Sequence, residues 1–301
     1  MNKTTSPIHI AIIGGTGLAD HLLTDFPEIN QSVNPQTPFG QPSAPIRTGT
    51  LHNNENITIS LLARHGEGHL LNPGQVPYRA NIFALKQIGV THLIASGAVG
   101  SLRENIHPGE VALVNQFIDK THSRKSSFYE HAAVHVEFSQ PCCPIMRKWL
   151  INSAQHIDIK VHDAATYVCM EGPAFSTKAE SDMHRAWGGD LIGMTALPEA
   201  KLAREAEIAY ALIALPTDYD AWKQHEKDIP HDSLLTEIIG NLNNATNACV
   251  QLIRSALENP APLVQEKSPA HDALALAIWS DKSKIHSEEI KRLNALWGKY
   301  F

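Results

Sequence analysis

Apolar and polar positions along this chain switch repeatedly between a two-residue and a helical period. Residues 8–13 form a β-branched run closing on Gly14-Gly15-Thr16-Gly17, the pattern of a buried strand and a tight turn. Residues 48–51 and 57–63 flank Asn53-Asn54-Glu55-Asn56, which predicts a hairpin. Residues 79–88 set Ile82, Phe83, Leu85 and Ile88 on one helical face and stop at Gly89. A strand is expected at 91–95 with Ser96-Gly97-Ala98-Val99-Gly100 as its exit loop. Another is expected at 111–117, followed by a polar loop with Lys120, His122, Arg124 and Lys125. Helices are expected at 144–156, 177–187 and 198–207, and strands at 165–170, 191–194 and 208–215. Leu234 to Leu257 keep a helical period through one long helix, with Asp232 as its N-cap. Residues 259–269 read as a Pro-rich linker, and 287–300 as a small amphipathic helix carrying Ile290, Leu293, Leu296 and Trp297.

This alternation predicts a central, largely parallel sheet covered by helices, with ligands at the carboxyl ends of the strands. The expected division is one main domain over 8–258, then a linker and helical extension over 259–301. Composition changes this little: 301 residues with 43% hydrophobic content suit a globular protein with a real core. A net charge of −6 gives no electrostatic case for nucleic acid or an anionic membrane. No apolar run of ~20 residues is present and residues 1–7 are polar, so a soluble, cytoplasmic protein is expected. Cys142, Cys143, Cys169 and Cys249 lack the spacing of a zinc or redox site, so reduced thiols and no metal are expected.

The candidate chemistry gathers at predicted strand ends. Asp218 and Asp220 lie two residues apart just past the apolar run 208–215, where carboxylates are costly unless paired. A carboxylic acid there can donate to a ring nitrogen while its neighbour accepts from an exocyclic amine; helix capping or turn closure are the plainer alternatives. The turn around Thr16 can cradle a phosphate or need glycine for conformation alone. Arg64 offers a fork for a phosphate oxygen pair, His65 can add a donor, and His69 can reach another part of a ligand; a charged hairpin end is the alternative. Phe175 can stack on a flat base and Met194 can touch a sugar face, although either also suits a core.

Six segments occur in a fixed order: Ile12-Ile13-Gly14-Gly15-Thr16-Gly17, Leu62-Ala63-Arg64-His65-Gly66, Ala98-Val99-Gly100-Ser101-Leu102-Arg103, Glu171-Gly172-Pro173, Gly193-Met194-Thr195 with Pro198-Glu199, and Thr217-Asp218-Tyr219-Asp220. In this the chain resembles the trimeric purine nucleoside phosphorylase family, in its 5′-methylthioadenosine phosphorylase branch, over about residues 8–257. The resemblance implies an α/β fold round a mixed, distorted sheet, a homotrimer, and phosphorolysis without metal or organic cofactor. It implies phosphate contacts from Thr16, Arg64, His65, Gly97, Ala98 and Thr195. Phe175, Ser176, Asp218 and Asp220 would hold the purine and Met194 the ribose, with His135 lent to the neighbouring subunit's site. Asp218 is the implied proton donor to N7, with Asp220 holding Asp218 or the 6-amino group.

Two positions depart from the branch. Gly97 stands where a hydroxyl residue is frequent, so one phosphate contact is lost or passes to Ser96. His231 falls at the 5′ end of the sugar, where an apolar side chain is usual, which leaves methylthio and hydroxyl substituents both open. The rival readings are a phosphorylase for adenosine or 6-oxopurine nucleosides, a nucleoside hydrolase, and a dinucleotide-dependent reductase built on Gly15 to Asp20. The last lacks the third glycine of its fingerprint.

Overall fold

The structure, a computed structural model, describes residues 8–15, 17–51, 54–223 and 231–301. Thr16 lies outside the described residues, as does the side chain of His231. In chain order the strands are β1 (Ile8–Gly14), β2 (Gln31–Val33), β3 (Ile46–Leu51), β4 (Asn54–Ala63), β5 (His92–Ser101), β6 (Val111–Lys120), β7 (Val161–Met170), β8 (Leu191–Gly193) and β9 (Ala209–Asp218). The helices are α1 (Leu18–Asp25), α2 (Tyr78–Gln87), α3 (Pro144–Ala154), α4 (Lys178–Ala186), α5 (Glu199–Glu205), α6 (His231–Glu258), α7 (Ala261–Gln265), α8 (Ser287–Arg292) and α9 (Asn294–Trp297).

Among the described residues the strands form one mixed sheet, ordered β2-β3-β4-β1-β5-β8-β7-β6-β9 with a further β5–β9 pairing. That extra pairing closes β5, β9, β6, β7 and β8 into a ring from which β1 to β4 extend as an open arm. Parallel pairs (β1/β4, β1/β5, β5/β9, β6/β7, β7/β8) are interrupted by antiparallel ones at β3/β4, β5/β8 and β6/β9. Strand alternation feeds two cores. Tyr210, Leu212 and Ala214 of β9 join Ile82, Phe83 and Leu202 on one face. Ala211, Ile213 and Leu215 join Trp149, Leu252 and Ile253 on the other.

Ser96 to Gly100 is not an exit loop. It continues β5, because its small residues let β9 pair all the way from His92 to Gly100. On the opposite edge β1 leaves β5 at Ala95 and β8 joins only at Gly100. The sheet therefore has a gap beside residues 96–99, the kind of strand divergence at which α/β sheets admit ligands.

The C-terminal expectations also change. Residues 259–269 contain α7, and α6 begins at His231, so Asp232 lies inside the helix rather than capping it. The expected helix over 287–300 is broken into α8, α9 and a final tight turn, with Leu293 at φ −106 and ψ 20 between the first two. The break lets Leu293, Leu296 and Trp297, all at most 2% exposed, pack into the same core as Leu202 and Tyr210. Glu207 fastens this tail: its buried carboxylate accepts from the Leu274 N–H (3.1 Å) and pairs with Lys299 (2.7 Å).

Candidate active site

A cavity of about 580 Å³ opens at the sheet gap, walled by the ends of β5, β7, β8 and β9 and by Ile238, Leu242 and Thr246 of α6. Arg64, His65, His69, Gly97, Ala98, Phe175, Ser176, Met194, Thr195, Asp218 and Asp220 all line it. His135 does not. It is exposed and stacks edge-on against Trp279 at 4.9 Å between ring centroids, away from the cavity.

The floor is built on β5. The Ser96 carbonyl accepts from Arg64 Nη1 at 2.7 Å across the open edge. Strand alternation then aims the Ala98 N–H at the same gap. A Cβ at Gly97 would stand 3.2 Å from Thr195 Oγ1 and 3.8 Å from Arg64 Nη1, so the bare glycine leaves these groups a shared corner. Arg64 does not present a free fork: Nε and Nη2 already meet the two oxygens of Glu199 at 2.7 and 3.0 Å. His65 donates its Nδ1–H to the Leu71 carbonyl (2.8 Å) and stacks on His69 at 4.2 Å. Burial holds its imidazole down at about 4, helped by the Arg64 charge and His69 and opposed by the Leu71 carbonyl. Near neutral pH the ring is therefore uncharged, with Nδ1 as the N–H and Nε2 as the acceptor.

The acid wall owes its shape to a bulge. Val99 pairs with Pro216 and Gly100 with Asp218, so Thr217 is the extra residue. Both Asp218 oxygens are used: Oδ2 accepts from the Thr217 hydroxyl (2.7 Å) and Oδ1 from the Asp220 N–H (2.8 Å). Asp220 adopts φ 51, a conformation Asp tolerates better than most residues. Its Oδ2 is buried with no well-formed hydrogen bond among the described residues. Burial first, then the Asp218 charge, raises its pKa, while the Ser181 and Ser176 hydroxyls pull the other way. Gly100 leaves this wall room, since a Cβ would lie 3.1 Å from Asp220 Cβ and 3.2 Å from Asp218 Oδ1 and would press both acids back.

A carboxyl raised in the fold is tolerated best when protonated, and its ionisation opposes folding as pH rises through the folded value. Asp220→Asn is therefore expected to raise the urea midpoint at pH 8 and to leave it unchanged at about pH 3, below the ordinary aspartate range. Equal shifts at both values would show that the carboxyl is not held above its ordinary range.

One organising residue was not legible in the sequence. Arg124, 2% exposed, donates to the Met194 and Glu171 carbonyls at 2.5 Å and to the Leu197 carbonyl at 2.8 Å. It also pairs with the Glu171 carboxylate at 3.2 Å. It thereby ties the Met194–Thr195 turn to the loop leading to Phe175 and Ser176. The sequence showed only an Arg in a polar loop, with partners 47 to 73 residues away. Among the described residues no group of three or more His, Cys, Asp or Glu is placed to hold a metal ion, and no helix is long and apolar enough to cross a membrane.

An α/β sheet whose strand ends surround one cavity, with anion-type donors on the floor and paired acids on a wall, is the architecture of a small-molecule enzyme. The profile of the Phosphorylase superfamily matches residues 9–258. An S-methyl-5′-thioadenosine phosphorylase of Geobacter sulfurreducens is 42% identical over 294 residues, covering 97% of this chain and 98% of that one. A crystal structure of a methylthioadenosine phosphorylase from an antarctic soil metagenomic library gives a TM-score of 0.83 at 43% identity, covering 97% and 99% of the two chains. The Schistosoma mansoni methylthioadenosine phosphorylase in complex with adenine gives 0.72 at 34% identity, covering 85% and 97%. The chain belongs to the Phosphorylase superfamily, in its 5′-methylthioadenosine phosphorylase branch.

Proposed function

We propose that this chain cleaves the N-glycosidic bond of 5′-methylthioadenosine with inorganic phosphate, giving adenine and 5-methylthioribose 1-phosphate. The observation that carries this reading is the juxtaposition, within one cavity, of the β5 floor and the Asp218–Asp220 wall. Phosphate sits on the floor, held by Arg64 Nη1, the Ala98 N–H and the Thr195 hydroxyl, with Thr16 and Gly97 completing the subsite. His65, neutral, accepts a hydrogen bond at Nε2 from monohydrogen phosphate or from a sugar hydroxyl. The dianion stabilises positive charge developing at C1′ as the bond breaks. The purine leaves more readily when N7 gains a proton, which the Asp218–Asp220 pair supplies, Ser176 and Phe175 holding the base. Met194 and His69 border the sugar. Ile238 and Leu242 make an apolar end wall, which favours a methylthio group over a 5′-hydroxyl; His231 stands at the start of the same helix. No metal or organic cofactor takes part.

The same proposal includes a cytoplasmic homotrimer in which His135 serves a neighbouring subunit's site. Four buried free thiols suit a reducing compartment. Exposed apolar side chains, Phe175 at 84% and Trp279 beside His135 at 72%, suit a protein that covers them by association. A substrate panel tests the chemistry. Adenine release from methylthioadenosine should require phosphate and exceed that from adenosine and inosine in kcat/KM. Undiminished release without phosphate would mean hydrolysis, and an inosine preference would overturn the assigned base.

A further inference from the structure

Beneath the phosphate floor lies a buried assembly of which only Arg64 meets the proposed reaction. Arg64 and Glu199 are each 1% exposed and Tyr210 is 2% exposed. A guanidinium carries five N–H groups. Nε–H and one Nη2–H go to Glu199, the second Nη2–H points to the Ile13 carbonyl at 3.4 Å, and one Nη1–H goes to Ser96. The remaining N–H is on Nη1, the atom nearest the Gly97–Thr195 corner. The Tyr210 hydroxyl, from the start of β9, donates to Glu199 Oε1 at 3.0 Å, the same oxygen that receives Nη2. Neither Glu199 nor Tyr210 lines the cavity.

This arrangement settles two properties of Arg64. The carboxylate cancels its charge locally, so an arriving phosphate meets one N–H of fixed direction and not a free cation with an open fork. The guanidinium plane cannot turn, because both of its edges are engaged. A mobile Arg would have to be ordered as phosphate arrives, whereas a guanidinium already fixed meets it without that cost.

We propose that Glu199 and Tyr210 are positioning residues for phosphate: through Arg64 they set the affinity of the cavity for the nucleophile. This rests on the phosphorolysis reading above. Tyr210→Phe removes one oxygen and keeps the packing. It should raise KM for phosphate by about three- to tenfold, a share of one hydrogen bond to a charged group, while KM for the nucleoside stays within twofold. Glu199→Asp, which keeps the charge but shortens its reach, should move the phosphate KM in the same direction. A purely structural role would lower thermal stability and kcat at every phosphate concentration and leave both KM values in place. An unchanged phosphate KM in either folded variant, or an equal rise in both KM values, overturns the proposal. Wild-type adenine release that ignores phosphate would instead bring down the phosphorolysis reading itself.

Discussion

Asp218→Asn is expected to lower kcat/KM for methylthioadenosine by about two to four orders of magnitude, the usual span for general-acid help. An amide has one acceptor oxygen, whereas the Asp218 carboxylate takes the Thr217 hydroxyl on one side and the Asp220 N–H on the other. One of those donors would then face an NH2 group, and the turn that holds Asp220 at φ 51 would lose its latch. The substitution also removes the negative charge that helps raise the Asp220 pKa, leaving that carboxyl more readily ionised and less able to offer a proton. Both effects fall on protonation of the leaving base. A nucleoside whose base departs easily without a proton should therefore lose much less. The measurement is kcat/KM for such a pair of substrates; losses equal for the two, or below tenfold for methylthioadenosine, would remove the acid role from this pair.

Arg124→Met should destabilise the fold by about 3–5 kcal/mol, since it takes a buried guanidinium away from three carbonyls and from its carboxylate partner at once. The Met194 and Glu171 carbonyls lose this donor, the Leu197 carbonyl keeps the long Cys169 thiol contact, and the Glu171 carboxylate keeps its bonds from the His122 and Ser123 N–H groups but loses its cation. The Met194–Thr195 turn and the Phe175–Ser176 loop then lose their common tie, so KM for phosphate and for nucleoside should rise together. Lysine will not rescue it, because a single ammonium cannot reach four acceptors arranged round a planar fork. Urea unfolding and steady-state kinetics on Arg124→Met and Arg124→Lys test this. Wild-type stability with Met in place, or full rescue by Lys, would contradict the account.

The strand ends and their small residues were legible because strand chemistry is local. The apolar run 208–215 and the Gly100 to Asp218 segments announce themselves within ten residues. The Ser96–Gly100 segment misled for the same reason. Glycine and alanine read as a loop in isolation, while their pairing is decided by β9, more than a hundred residues later. Arg64 was found and its partner was not, since Glu199 lies 135 residues away and no periodicity links the two. The acidic wall was anticipated as a pair. The bulge at Thr217 that divides the work between its members depends on register, which a single strand does not carry. In the tail, the apolar spacing was right and the continuous helix was wrong, because burying Leu293 and Trp297 on one curved core required a bend.

Ring closure of the sheet also bears on how copies of this chain can meet. With β5 and β9 sealed into the ring, the terminal strand of the sheet among the described residues is β2, only Gln31–Val33 long. So short a strand offers little template for adding another chain's backbone. Any contact between copies would then be made by side-chain faces and loops, so that surface substitutions, and not changes in strand register, would govern how many copies assemble.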